Sequence, residues 1–363
     1  MLAFLYFPQC LFICCSKFIQ LYVESVFQLP LKLRSVWHFL LITTLALFSL
    51  ATALFHISIV FVERIALSPF ISFGTHKMLY IVGAPRSGTT RMHKLLASDR
   101  DQFTAMKMWE CFFAPSIIQK KIFGLLSRID SVFKSHLSST IVKKEKRLFS
   151  KFNNIHALSL FNVEEDALVL FHLFYSYHLS FLLGKESSYS NLNRNKNIPK
   201  AVWMYYQYCI ENHQLQNKGK IYLAKNPFFT AHTNSLKGLF PKIQFINLTR
   251  DIEEVAPSFF SMKKHLSTVF YGCDPSQKKY KEILELLKFW QQSGLEITVN
   301  NVQVDYLDLK NTPSKTIIGL YNFLELELKE AHKQRLLLED EKSKNYKSKH
   351  KYQQGDSLNT KSL

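Results

Sequence analysis

The sequence has no cysteine framework. Its six cysteines, Cys10, Cys14, Cys15, Cys111, Cys209 and Cys273, show neither the spacing of a disulfide-stapled domain nor that of a zinc site. Three of them fall in an apolar N-terminal stretch, where a cysteine serves as a small hydrophobe, and the usage suits a reducing compartment. No group of His, Cys and carboxylate residues has metal-ligand spacing, so no metal is expected. Acidic residues are scarce: 28 stand against 46 Lys and Arg, for a net charge of +18. Such a balance favours anionic partners. The basic residues are dispersed and carry no RNA- or DNA-binding signature, which argues against nucleic acid and leaves acidic lipid head groups or a multiply charged nucleotide. The N-terminus lacks both a basic leader and a small-residue cleavage site, which argues against a cleaved signal peptide.

What is present divides into three parts. Residues 1–70 read as an apolar helical membrane segment, residues 71–335 as one large α/β domain, and residues 336–363 as a basic, disordered tail. Phe39–Val62 is 24 residues without a formal charge, enough to span a hydrocarbon core of roughly 30 Å. Lys32 and Arg34 precede it, Glu63 and Arg64 follow, and Trp37 marks an edge. Leu2–Leu33 mixes apolar residues with Lys17, Gln20, Glu24 and Gln28, as an interfacial helix or a first hairpin arm would. The other reading of both stretches is a helix pair docked on the domain.

The domain is organised around Met78–Thr90, MLYIVGAPRSGTT. An apolar strand, Met78–Val82, turns through a loop bounded by Gly83 and Gly88 into a helix from Thr89. The amides of such a loop and of the first helical turn lack backbone partners and face an anion, aided by the helix dipole. The spacing is that of a P-loop, with four residues between the glycines. A nucleotide triphosphatase places Lys after the second glycine, whereas here Thr89 and Thr90 follow and the cation is Arg86, inside the loop. A guanidinium grips a phosphate bidentately without a metal. A P-loop kinase using ATP and Mg²⁺, or an inactive membrane-anchored nucleotide-binding protein, are the alternatives.

Along the rest of the domain, Ala105–Phe113 reads as a strand running into a loop, and residues 116–155 as two helices with a basic cluster at Lys143–Arg147. His156–Leu183 is aromatic and helix-like, with Glu164-Glu165-Asp166 as an acidic helix face or part of an acceptor pocket. Residues 187–199 read as a loop and Pro199–His213 as a helix. Strands follow at Lys220–Lys225, Ile243–Leu248 and Val302–Tyr306, and helices at Thr230–Phe240, Ile252–His265, Lys281–Thr298 and Pro313–Leu324; Leu266–Lys279 reads as a mobile loop. Alternating strands and helices predict a three-layer fold with a central parallel sheet. Ligands then bind at the strands' carboxyl ends, where Gly83, Glu110, Lys225 and Arg250 are expected.

Pro-Arg-Ser-Gly-Thr-Thr at 85–90 resembles the 5′-phosphosulfate loop of sulfotransferases, which use 3′-phosphoadenosine 5′-phosphosulfate (PAPS). Arg250 and Ser258, eight residues apart, resemble the motif with which the same family holds the 3′-phosphate. The resemblance covers about residues 75–330 and is to the broad, largely bacterial group of these enzymes. It implies a P-loop sulfotransferase fold and PAPS bound by Arg86, Ser87, Gly88, Thr89, Thr90, Arg250 and Ser258. Three departures stand out: Arg86 where the cytosolic enzymes carry Lys, Asp251-Ile252 where Asn/Asp-Pro is usual, and no third glycine-rich nucleotide loop. The resemblance further implies a carboxylate base in the region of Glu110, whose neighbours Trp109, Phe112 and Phe113 could desolvate it, with His93 as the alternative. Lys225 and Arg86 would stabilise developing charge. The apolar N-terminus and the aromatic segment 156–182 point to a hydroxyl on a lipophilic molecule as the acceptor. Localisation follows topology: an interfacial or hairpin N-terminus keeps the domain in the cytoplasm, whereas a single span can place it in a Golgi lumen.

Overall fold

The structure is a computed structural model of the chain, and residues 2–28, 36–68, 76–150, 158–179, 197–271, 277–298 and 300–344 are described below. Five parallel strands form one sheet in the order β2-β3-β1-β4-β5: β1 Met78–Gly83, β2 Phe103–Thr104, β3 Ile221–Lys225, β4 Ile243–Thr249 and β5 Asn301–Asp305. β1 lies at the centre and is buried at every residue, which is why it reads as an unbroken apolar run instead of an alternating one. Its register sets Ile81 opposite Lys225 and Gly83 opposite Leu248, while Thr249 pairs with Asp305. The carboxyl ends of four strands therefore converge on one rim.

Helices cover both faces. One face packs Leu79, Ile81, Met92 and Leu96 against Leu309, Ile317 and Tyr321. These come from α3 (Thr89–Ala97), α11 (Tyr306–Asn311) and α12 (Pro313–Phe323). The last described helix, α13 (Glu330–Lys344), buries Leu336 there, and Asp340 accepts a hydrogen bond from the Ser314 amide at 2.9 Å. Order thus continues nine residues into the segment expected as a tail, and residues 345–363 lie outside the description. The opposite face is aromatic: Tyr80, Tyr222 and Phe245 meet Tyr205, Tyr206 and Tyr208 of α7 (Lys200–Gln216).

The N-terminal helices, α1 (Leu2–Gln28) and α2 (Val36–Leu67), belong to this second core. Two of their segments, Ala3–Glu24 and Thr43–Leu67, are long and apolar enough to cross a membrane, with mean hydropathies of 1.4 and 2.3. One side of the pair nevertheless packs on α7: Cys10 donates to the Ala201 carbonyl, and Arg64 pairs with Glu211 at 2.5 Å. Glu63 accepts the Ile117 and Ile118 amides at 2.9 and 2.6 Å, capping the open N-terminus of α5 (Ile117–Val132). The other side leaves Phe4, Phe12, Phe48 and Phe55 more than half exposed.

Three local expectations are corrected. Ala105–Phe113 is not a strand: β2 stops at Thr104, and Met108–Phe113 is a short helix, α4, because the Glu110 carboxylate accepts the Lys107 amide at 2.7 Å and closes its first turn. The described part of His156–Leu183 is no α-helix but a 3₁₀ segment, Asp166–Leu173, flanked by irregular chain. Of the loop expected at Leu266–Lys279, both flanks are helical, since α9 (Ile252–Tyr271) runs past His265 and α10 (Gln277–Leu295) starts early; residues 272–276 lie outside the description.

Candidate active site

The glycine-bounded loop stands at the centre of the rim. Gly83 and Gly88 have φ of 131° and 95°, a region open to glycine, and the packing leaves neither any room. A Cβ on Gly83 would lie 2.4 Å from the Leu248 carbonyl, and one on Gly88 2.8 Å from the Tyr306 ring. Between them Arg86 takes φ 72°, a strained value for a residue with a side chain. The strain fits its contacts. The Arg86 guanidinium donates through Nε to Ser258 Oγ at 3.0 Å, and the Arg86 backbone carbonyl accepts from Arg250 Nη1 at 3.0 Å.

Two stretches about 160 residues apart in sequence thus meet across the end of β4. Arg250 follows Thr249, stacks on Tyr306 at 3.9 Å, and is steadied by Glu254 at 3.0 Å. Ser258 lies one and a half turns into α9 and is buried. Ser87 is fully buried beside them, and its hydroxyl has no partner among the described residues; the Asn226 side-chain NH₂ shares that state. Buried polar groups of this kind are costly unless something hydrogen-bonds them. The loop therefore meets the requirements of an anion cradle: a helix N-terminus at Thr89, two guanidinium groups, and donors in need of an acceptor.

Lys225 supplies a further cation. It ends β3 fully buried, donates to Thr90 Oγ1 at 3.3 Å, and pairs with Glu165 Oε1 at 2.8 Å. The second Glu165 oxygen meets His178 Nε2 at 2.8 Å, and His178 Nδ1 meets Ser176 Oγ at 3.0 Å. Burial alone would raise the Glu165 carboxyl, but the Lys225 ammonium and the His178 hydrogen bond outweigh it and hold it well below the ordinary carboxylate range. His178 also lines a cavity with Leu170, Tyr175, Tyr177, Phe228 and Phe229. Next in sequence, Asp166 turns the other way, into the sheet, where the hydroxyls of Tyr206, Tyr222 and Tyr80 reach it at 2.7, 3.3 and 3.4 Å. Burial pushes its carboxyl up to about 7 despite those bonds.

The structure brings Arg86, Ser87, Gly88, Thr89, Thr90, Lys225, Arg250 and Ser258 to one rim. Glu110 belongs elsewhere, in the first turn of α4 instead of at a strand end. It pairs with Lys120 at 2.9 Å and lies 3.6 Å from His213, which itself holds Thr104 and Lys120. Burial would raise the Glu110 carboxyl, but His213 and Lys120 hold it far down. His93, on α3, is buried, and its imidazole is pushed down to about 3 by burial and then by Lys225. Glu165 and His178 were hidden in the sequence because one precedes the 3₁₀ segment Asp166–Leu173 and the other lies in the irregular chain after it, so neither falls on a periodic face. The acidic triplet 164–166 was the available signal.

The site is thus a glycine-bounded loop at the carboxyl end of the central strand of a parallel α/β sheet. The sequence profile of the sulfotransferase family matches residues 79–330, and the chain belongs to that family. The fold is similar to that of sulfotransferase STF9 from Mycobacterium avium, with a TM-score of 0.67, 13% identity, and 88% of this chain and 80% of that one covered. It is likewise similar to sulfotransferase STF1 from Mycobacterium tuberculosis H37Rv, with a TM-score of 0.64, 17% identity, and 94% and 88% covered. No curated protein sequence matches. Residues 71–363 make up only about four fifths of the chain, so the 94% coverage takes in much of α1 and α2.

Proposed function

We propose that this protein transfers the sulfuryl group of PAPS to a hydroxyl of a lipophilic acceptor, with Glu165 as general base. The observation that carries the donor half is the joining of Arg86, Ser258 and Arg250 through two 3.0 Å hydrogen bonds. A neighbouring guanidinium and hydroxyl suit a nucleotide 3′-phosphate, and the loop beside them would take the 5′-phosphosulfate. The loop residues Ser87, Gly88, Thr89 and Thr90 would hold the 5′ end, and Arg250 with Ser258 the 3′-phosphate. Bound PAPS supplies an activated sulfuryl group whose bridging oxygen gains charge as the bond breaks. Arg86 and Lys225 would be the cations that stabilise that charge.

The acceptor half rests on Glu165. Its carboxylate is ionised, borders the cavity through His178, and shares Lys225 with the loop helix. A hydroxyl entering that aromatic cavity would hand its proton to Glu165, with His178 and Lys225 fixing the carboxylate's direction. Glu110 is a poorer choice, because all its partners are structural groups of α4, α5 and α7. His93 is poorer too, since its imidazole is buried on α3 and has no hydrogen bond to Glu165, His178 or a residue lining the cavity. We place the protein at a membrane through the exposed sides of α1 and α2, its domain on the cytoplasmic face where PAPS is made. No metal enters this scheme.

Calorimetric titration of PAP, ADP and ATP into the full chain, with and without Mg²⁺, tests the reading. PAP should bind without metal and roughly tenfold or more above ADP, the worth of one charge-assisted hydrogen bond. Arg250→Ala should erase that preference. Tighter binding of ATP with Mg²⁺ would overturn the donor assignment.

A further inference from the structure

One part of the molecule has no role in this scheme. α5 and α6 (His136–Phe149) form a hairpin whose apolar residues face water. From Lys121 to Ile129 every residue of α5 is exposed, including Ile122, Phe123, Leu125 and Leu126. At the tip Val132 and Phe133 are 79% and 66% exposed, and on α6 Leu137, Ile141 and Leu148 follow. The base of α5 is tied down through the Glu63 cap, the hydrogen bond between Gln119 and His56 at 2.8 Å and the Lys120–Glu110 pair at 2.9 Å, and farther along Phe123 meets the edge of Trp109 at 5.4 Å. A helix pair exposing this much apolar surface is a contact surface awaiting an occupant.

Charge identifies the occupant. The hairpin exposes Lys121, Arg128, Lys134, Lys143, Lys144, Lys146 and Arg147, Lys120 being buried in its pair with Glu110, and its acids are Asp130 and Glu145. Neither acid is displayed. Asp130 is buried and spends its oxygens on the Leu137 and Ser138 amides at 2.8 and 2.9 Å, fixing the tip, and Glu145 is buried. The outward surface is therefore apolar and cationic with no exposed carboxylate. A protein partner or a second copy would pair such cations with acids, and this hairpin exposes none for a twin to use. An anionic bilayer meets both halves of the pattern, acyl chains taking the apolar residues and head groups the cations.

We propose that the α5–α6 hairpin dips into an anionic membrane leaflet, tip first, as an interfacial arm separate from α1 and α2. The proposal does not depend on which residue is the base or which donor is bound. It bears on the acceptor route, because α4 joins the hairpin to the site: the Phe112 carbonyl of α4 meets His172 of the 3₁₀ segment at 3.1 Å.

The test attaches an environment-sensitive fluorophore to the full chain through Phe133→Cys, with Leu125→Cys as a second position and Gln334→Cys, on α13, as the control. Unsubstituted protein taken through the same labelling reports any signal from native cysteines. Vesicles of phosphatidylcholine with roughly 30% phosphatidylserine should raise and blue-shift emission at 133 and 125 and leave 334 unchanged. Vesicles of phosphatidylcholine alone should do so less. Replacing Lys143, Lys144, Lys146 and Arg147 by Gln should weaken the response at 133 to the anionic vesicles by roughly tenfold or more. Two outcomes overturn the proposal. One is vesicle-bound protein with unchanged emission at 133 and 125, which leaves α1 and α2 as the whole membrane contact. The other is a blue shift that rises with protein concentration without vesicles, which makes a second copy the occupant.

Discussion

Glu110 and Glu165 stand in two clusters of the same composition, a glutamate with a lysine and a histidine. In one, Glu110 meets Lys120 and His213; in the other, Glu165 meets Lys225 and His178. Both carboxyls are held below their ordinary range, by the same kinds of neighbour. The difference is address. The Glu110 cluster is enclosed by α4, α5 and α7 and also caps α4, so each of its bonds fixes one element to another. The Glu165 cluster ends β3, shares its lysine with the loop helix, and opens on a cavity. A perturbed carboxylate thus marks a candidate, and topology decides whether it can reach a substrate.

The largest effect that would break this comparison comes from Lys225. Lys225→Ala removes the cation common to the loop and to Glu165, and kcat at saturating PAPS should fall about 10²- to 10³-fold. Lys120→Ala, its counterpart, should leave kcat per folded molecule within a factor of about two. Stability should not separate the two clusters, since Lys225→Ala and Lys120→Ala each break a buried pair. Glu110→Gln breaks a buried pair and should cost about 3–5 kcal/mol in denaturant titration, while donor affinity of the folded fraction stays unchanged.

The pH dependence sharpens the same contrast. The Glu110 carboxyl is depressed in the folded state, so its stabilisation is complete above the unfolded value of about 4.3 and fades as pH falls below it. The stability difference between wild type and Glu110→Gln should therefore be flat above about pH 5 and shrink toward pH 3. Asp166 has the opposite sign. Its carboxyl, raised to about 7, weakens the fold as pH climbs from the unfolded value of about 3.9 through 7, and Asp166→Asn should gain on wild type over that interval. The smallest effect is at the loop. Gly88→Ala forces a Cβ against Tyr306 at φ 95° and should cost about 1–3 kcal/mol, part of it returned by Tyr306→Ala.

Much of the fold was legible in the sequence. β1, β3 and β4 are short, mostly apolar runs that end in a glycine or a charged or polar residue, β5 alternates as Asn-Val-Gln-Val-Asp, and each lies within one residue of where its pattern places it. The loop Gly83–Gly88 was legible because a glycine-bounded turn needs particular residues at particular positions. Arg250 and Ser258 were readable as a spaced pair, and only the structure brings them to Arg86. Two things escaped. Ala105–Phe113 has strand composition, yet one local bond, Glu110 to the Lys107 amide, starts a helix there. Glu165 lies in a segment with no helical or strand period, and its meaning comes from Lys225, sixty residues away. The N-terminal helices are apolar enough for a membrane, and their packing on α7 depends on contacts no hydropathy pattern records.

Transfer of a labelled sulfuryl group from PAPS to the organic-soluble components of a membrane lipid extract tests the central claim most directly. Wild type, Glu165→Gln and Glu110→Gln would be compared at equal, calorimetrically verified PAP occupancy. Loss of roughly 10²-fold or more in Glu165→Gln, with Glu110→Gln close to wild type per folded molecule, is the predicted result. Full transfer by Glu165→Gln, with loss in a well-folded Glu110→Gln, would contradict the account and return the base to α4.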